Sequence, residues 1–368
     1  MKFIDIVEQD AHLKEEIAAA ILEVISRGDF ILGKEVEELE KKLQEYFGVR
    51  HAILVSSGTD ALLLALRSLN LPKRGEIITT PFTFFATSEA IINEGLVPVY
   101  IDIDPNSFNI DPNKIEAAIT ERTCAILPVH LFGKPARMDI ITEIAKRNNL
   151  KVVEDCAQAF GATLQNKAVG TWGKVGCFSF YPTKNLGAYG DAGLIITNDD
   201  KTAQRLKILR DQGANAPYRH KEHGLNARCD TLQAAILLKK LPHVSELNDR
   251  RRHLAARYTA ALSCHKDLDL PVTADDENHV FHQYTIQVPA HTRDDFRTCL
   301  YENAIPSAVY YDLPLHRQQA TKPFAVIPEE LRNSEIASHR VVSLPIYPTL
   351  RDQEIDQVVD VIRTYYPN

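Results

Sequence analysis

No stretch of the 368-residue sequence approaches the roughly 20 consecutive apolar residues that a membrane-spanning helix requires. The start, Met1-Lys2-Phe3-Ile4-Asp5, carries an acid early and has no apolar core of the kind that marks a secretory signal. Basic blocks are scarce as well. The net charge is −7 with a pI near 6.0, and clusters such as Arg250-Arg251-Arg252 read as one exposed helix face. No nucleic-acid surface and no membrane partner are expected, although an acidic chain can still hold a basic pocket for a small anion. Cysteine is sparse and scattered. The six, at 124, 156, 177, 229, 264 and 299, show no C-x-x-C and no His/Cys spacing suited to a metal, so no metal is expected. Cys124, Cys156 and Cys177 fall in or beside apolar strand-like runs and read as buried thiols in a reduced, cytoplasmic setting. Repeats, low-complexity tracts and long linkers are absent too.

With 45% hydrophobic and 25% charged residues, the composition is that of an ordinary soluble protein. The length suits a large domain and a smaller one. Residues 10–26 and 34–47 read as amphipathic helices. From Val49 onward, short apolar strands alternate with helices: 52–55, a helix from Thr59, 76–79, a helix near 87–93, 97–101, 115–119, 124–129, 139–148 and 151–154. That alternation predicts an α/β domain with a mostly parallel sheet covered on both faces. Past Leu241-Pro242 the pattern changes. A basic helix, 243–262, precedes a strand at 281–288, a helix at 294–302, a second strand at 307–311 and a final helix at 352–365. The expected division is a large α/β domain over 1–245 and a smaller α+β domain over 246–368.

Three local features carry chemistry. Ser56-Ser57-Gly58-Thr59-Asp60 stands between the apolar run Ile53-Leu54-Val55 and the helix former Ala61-Leu62-Leu63-Leu64-Ala65-Leu66. Free N–H groups at such a helix start attract a phosphate, although an ordinary N-cap would look the same. Asp155 ends the strand Val152-Val153-Glu154-Asp155, and Lys184 lies about thirty residues on in Ser179-Phe180-Tyr181-Pro182-Thr183-Lys184-Asn185-Leu186-Gly187. An amine that bonds the aldehyde and a carboxylate that keeps the pyridine nitrogen protonated are two groups that pyridoxal 5'-phosphate needs from a protein.

Taken with Pro81-Phe82-Thr83-Phe84, Glu154-Asp155-Cys156-Ala157-Gln158, Gly190-Asp191-Ala192-Gly193 and Asn226-Ala227-Arg228, these motifs resemble the DegT/DnrJ/EryC1/StrS sugar aminotransferases over nearly the whole chain. The resemblance implies fold type I of the pyridoxal phosphate enzymes and a homodimer with shared active sites. It implies that Lys184 is the Schiff-base lysine, that Asp155 partners the pyridine nitrogen and that Gln158 bonds the ring hydroxyl. Ala157 would lie under one ring face and Phe84, or alternatively Phe85, on the other. Gly58, Thr59, Asp60 and Ser179 would hold the phosphate, joined by Asn226 from the other subunit. Arg228 matches a position near the substrate and the subunit interface. Members that remove a hydroxyl carry histidine in place of the lysine, so Lys184 points to a transaminase.

Tyr218-Arg219-His220 and the stretch 230–237 look similar to enzymes that aminate C3 of nucleotide-linked 3-keto hexoses, with L-glutamate as donor and 2-oxoglutarate as product. The expected substrate is a UDP-linked 2-acetamido-3-keto hexose, or its uronate, serving surface polysaccharide or lipid A. The stretch 180–187 resembles the dTDP-linked 3-keto-6-deoxyhexose group equally well. Uronate-type relatives carry histidine where this chain has Tyr310, and a tyrosine brings no charge at neutral pH. His316 is a candidate contact for the sugar or diphosphate. A non-enzymatic role, as a cofactor-binding pseudoenzyme or regulator, is the remaining alternative, since some family members were first described as regulators.

Overall fold

The computed structural model describes residues 1–367. Strands β1 (His51–Val55), β2 (Glu76–Thr79), β3 (Val97–Tyr100), β4 (Thr123–Ile126) and β5 (Lys151–Asp155) follow the expected alternation. After β5 come a small hairpin, β6 (Thr163–Leu164) and β7 (Lys167–Ala168), and then β8 (Val175–Ser179) and β9 (Gly193–Thr197). Seven strands form one sheet in the order β1-β9-β8-β5-β4-β2-β3. The pairs β2–β3, β2–β4, β4–β5 and β5–β8 are parallel, whereas β9 runs antiparallel to both β1 and β8. The sequence had indicated the mostly parallel sheet but not β9. The connection from Ser179 to Gly193 holds no helix to carry the chain back to the opposite sheet edge, so the next strand returns antiparallel.

The pleat distributes β1 between two cores. Ile53 and Val55 pack with Ala61, Leu62 and Ala65 of the helix Gly58–Ser68. Ala52 and Leu54 face the other way, onto Val36, Leu39 and Leu43 of the helix Lys34–Phe47. Both faces are thereby covered, which is why the strands are apolar throughout and not alternating.

Beyond the sheet, Tyr284–Gln287 and Val341–Leu344 pair antiparallel. They share an apolar cluster with Leu254 and Tyr258 of the helix Val244–Leu262, Phe296 of Arg293–Glu302, and Ile355 and Val358 of Asp352–Tyr365. Two expectations differ from the structure. Residues 307–311 make only one isolated bridge, Ala308 with Ser343, because the chain then leaves the pair to bring Tyr310 and Tyr311 to a cavity wall. Residues 115–119 hold only a single 3-10 turn, Glu116–Ala118.

Candidate active site

Where β1 ends, Ser57 caps the helix Gly58–Ser68, its Oγ accepting from the Asp60 N–H at 3.0 Å. Among the described residues the N–H groups of Gly58 and Thr59 have no acceptor, so the positive end of the helix is open. A Cβ on Gly58 would stand 2.6 Å from the Ser179 Cβ, a clash that only glycine avoids. The absent side chain brings the end of β8 against the helix start. Ser57, Gly58, Thr59 and Ser179 then line one end of a cavity of about 750 Å³.

Asp155, at the C-terminal end of β5, reaches the same cavity and is 4% exposed. Its Oδ1 accepts from the Ala157 N–H at 3.1 Å and its Oδ2 from the Thr87 hydroxyl at 2.9 Å. Burial pushes the carboxyl above its ordinary value, while those two donors and the Lys184 charge oppose the rise. The strand end is held rigidly. Asp155 N–H donates to Pro128 and its carbonyl accepts from His130 N–H at 3.0 Å.

On the far side of the same strand, the buried Glu154 carboxylate accepts from the N–H groups of Gly170, Trp172 and Gly173 at 2.6–2.8 Å, and from His130 at 3.1 Å. His130 Nδ1 accepts from Ala136 N–H, so Nε2 carries the hydrogen given to Glu154. His130, Glu154 and Cys156 cluster closely enough to suggest a metal. Their polar atoms are already committed to these bonds, and the cluster is a hydrogen-bonded brace for β5. Sequence reasoning passed over Glu154, which looks like any acid beside a functional one.

Lys184 sits in the loop between β8 and β9, partly buried, its N–H donating to the Tyr181 carbonyl at 2.8 Å. Desolvation pulls its amine down to about 8, with the Asp155 charge working in the other direction. A tenth or so of the amine is then neutral at pH 7, on the order of a hundred times the fraction for an ordinary lysine. Gln158 is fixed from both ends: its Oε1 accepts from Phe132 N–H at 2.7 Å and its Nε2 donates to the Tyr311 hydroxyl at 3.1 Å. Ala157 lines the cavity beside it. Phe84 and Phe85 both line it: Phe84 leaves 58% of its surface free, while Phe85 also packs on the Tyr100–Leu315 cluster. Tyr310 completes the wall.

Four expected residues lie outside this cavity's lining. The Asp60 carboxylate is turned onto the Ser56 and Ser57 hydroxyls. Asn226 is exposed, and Arg228 is ion-paired with Asp211, so neither serves its own chain's cavity directly. His316 is 5% exposed and its Nε2 meets Glu335 at 3.1 Å, while its neighbour Leu315 faces the cavity in its place. Thr87, Tyr311 and His282 are the functional candidates that sequence reasoning missed. Only Tyr311, adjacent to Tyr310, carried any local signal.

The sequence profile of the DegT/DnrJ/EryC1/StrS aminotransferase family matches residues 11–363. The chain belongs to this family. It is a pyridoxal-phosphate-dependent aminotransferase. A Geobacillus stearothermophilus relative described as a pleiotropic regulatory protein is 44% identical, over 99% of this chain and 98% of its own. A UDP-N-acetyl-3-dehydro-alpha-D-glucosamine 3-aminotransferase of Acidithiobacillus ferrooxidans is 42% identical (98% and 96%). A dTDP-3-amino-3,4,6-trideoxy-alpha-D-glucose transaminase of Streptomyces venezuelae is 39% identical (99% and 95%). The crystal structure of a family aminotransferase from Brucella abortus superposes with a TM-score of 0.96 at 38% identity, covering 100% of both chains.

The residues of this aminotransferase fit its cofactor. The open helix start suits a phosphate, the buried Asp155 carboxylate a ring nitrogen that carries a proton, and the desolvated Lys184 amine an aldehyde carbon. When bound, the cofactor supplies an electron sink that lets an amino group be exchanged between carbon atoms. No helix among the described residues is long and apolar enough to cross a membrane.

Proposed function

We propose that this aminotransferase moves an amino group from L-glutamate to C3 of a nucleotide-linked 3-keto hexose. The substrate we favour is UDP-2-acetamido-2-deoxy-3-oxo-hexose, made for surface polysaccharide or lipid A sugars. The observation that carries the chemistry is the convergence of the Lys184 amine, the Asp155 carboxylate and the open N–H groups of Gly58 and Thr59 on one 750 Å³ cavity. Lys184 bonds the cofactor and, once released, moves the proton between the substrate carbon and the cofactor's C4′. Asp155 holds the ring nitrogen's proton, Gln158 meets the ring hydroxyl, and Ala157 and Phe84 enclose the ring. Gly58, Thr59 and Ser179 hold the phosphate.

Support for the UDP-linked amide sugar comes from the Acidithiobacillus relative, and Tyr310 favours the uncharged hexose over a uronate, since a tyrosine hydroxyl offers no counter-charge. The dTDP-linked 3-keto-6-deoxyhexose is the second reading, supported by the Streptomyces relative at nearly the same identity. We infer a homodimer in which Asn226 and Arg228 complete the partner's cavity. Exposed Leu22, Ile25, Phe30 and Ile31 supply an apolar surface for it. A regulatory role would leave the cavity's chemistry without purpose. Turnover of UDP- and dTDP-linked 3-keto sugars with L-glutamate, followed by product mass, separates the readings. Amination of the dTDP sugar alone would reverse our choice.

A further inference from the structure

Asn248, on the helix Val244–Leu262, is 3% exposed and joins two loops that meet at the cavity. Its Nδ2 donates to the Phe160 carbonyl at 3.0 Å, and its Oδ1 accepts from Asn185 Nδ2 at 2.7 Å. Phe160 lies five residues past Asp155, and Asn185 is the residue after Lys184. Neither amide can be turned over. A carbonyl only accepts, so Phe160 requires the nitrogen of Asn248 and leaves its oxygen for Asn185. The Val280 carbonyl, 2.9 Å from Asn185 Nδ2, fixes the second amide in the same way. Asn185 Oδ1 then faces His282 Nδ1 at 3.2 Å.

The chain makes room for this bridge. Gly161, next after Phe160, has φ +87°, and a Cβ there would lie 2.7 Å from Asn248 Nδ2, so glycine lets the amide reach the loop's backbone. The helix is itself anchored. Arg251 Nη1, three residues on, donates to the Phe281 carbonyl at 3.3 Å and the Ile346 carbonyl at 2.9 Å. The two bridged loops differ in what else holds them. Asp155 is bonded to Pro128, His130 and Thr87, and Gln158 to Phe132 and Tyr311. The lysine loop has less. Lys184 N–H donates within the loop, to Tyr181. Among the described residues, every hydrogen bond from 182–187 to another element runs through the Asn185 side chain. Leu186 adds apolar burial, which gives no direction.

We propose that Asn248 is a positioning residue for Lys184: by bridging Asn185 and the Phe160 carbonyl, it holds the lysine's loop at a set distance from the Asp155–Gln158 loop. Pyridoxal 5'-phosphate needs that distance fixed, because its ring is rigid and carries the nitrogen and the aldehyde carbon on opposite sides. Pyridoxamine 5'-phosphate does not. It already carries an amine and forms no bond to a lysine, so the phosphate cradle and the Asp155 loop suffice to hold it. The proposal rests on Lys184 as the residue that bonds the cofactor.

The test is the affinity of cofactor-free protein for each of the two forms, titrated separately and followed by absorbance. Asn248→Ala should weaken pyridoxal phosphate about tenfold, as expected for one lost hydrogen bond, and leave pyridoxamine phosphate unchanged. Asn248→Asp keeps the shape and the acceptor for Asn185, but an ionised carboxylate has no hydrogen for Phe160. The bridge then opens at its other end, and the same selective loss is expected, which decides the matter should the alanine variant fail to fold. Any other pattern in a folded variant, such as an equal loss of both forms or no loss of either, overturns the proposal. Failure of both variants to fold also overturns it, since Asn248 would then serve the fold alone. Native protein that develops no lysine-bound absorbance would remove Lys184 from its role. A normal native band with affinities indifferent to Asn248 would remove only this inference.

Discussion

Gly58 and Ser179 touch so closely that a methyl group on the glycine would lie 2.6 Å from the serine's Cβ. That contact joins the start of a helix to the end of a strand and builds the phosphate end of the cavity from both. Gly58→Ala forces the two apart. Overpacking of this kind costs about 1–3 kcal/mol, and here it falls on the cradle itself. Titration of the cofactor-free variant should show affinity for pyridoxal phosphate reduced about tenfold or more, with the fold's circular dichroism intact. Unchanged affinity would mean the cradle lies elsewhere.

The lowered amine of Lys184 gives a pH prediction. A base whose folded value is depressed binds fewer protons in the native state than unfolded, so cofactor-free protein gains stability as pH rises from about 8 toward the ordinary lysine value. Lys184→Met, which cannot titrate, should flatten that part of the stability profile and abolish turnover. A profile identical to the native one would contradict the lysine's desolvation.

Asp155 carries the opposite cost. Its raised carboxyl binds more protons in the native state than unfolded above about pH 4, so the buried charge destabilises the cofactor-free chain at neutral pH. Asp155→Asn removes the charge and keeps an oxygen for the Ala157 N–H. The cofactor-free variant should melt roughly 1–2 °C higher, while the glutamate half-reaction falls by orders of magnitude because the ring nitrogen loses its counter-ion. Lower stability with normal half-reaction rates would remove Asp155 from its role.

Much of this site was legible because its parts are local. The helix start is written in small residues ahead of a leucine-rich run, and Asp155 and Lys184 mark the end of one strand and the loop after another. Thr87 was not legible: it supports Asp155 across 68 residues, and nothing near it in sequence announces the contact. His282 is equally silent, since only the fold brings it to the cavity and sets its ring against Asn185. His316 looked functional beside prolines and leucines, but Glu335, drawn in by a later helix, claims its ring. The antiparallel β9 was hidden for a related reason. A short apolar run encodes burial and not direction.

Glu154→Ala tests the brace behind Asp155. Three backbone N–H groups and His130 would lose their acceptor in a fully buried position. The expected loss is about 3–5 kcal/mol in unfolding free energy, read by denaturant titration. A loss below about 1 kcal/mol would show that the loop over residues 170–173 finds other acceptors.

The central claim is that Lys184 and Asp155 run a transamination that ends on a 3-keto sugar nucleotide. The most direct measurement is the absorbance of the cofactor-loaded protein, titrated first with L-glutamate and then with UDP-2-acetamido-2-deoxy-3-oxo-hexose. The account predicts that glutamate removes the visible band, that the sugar restores it, and that one 2-oxoglutarate appears per active site. A band that glutamate leaves untouched, or that the keto sugar cannot bring back, would contradict it.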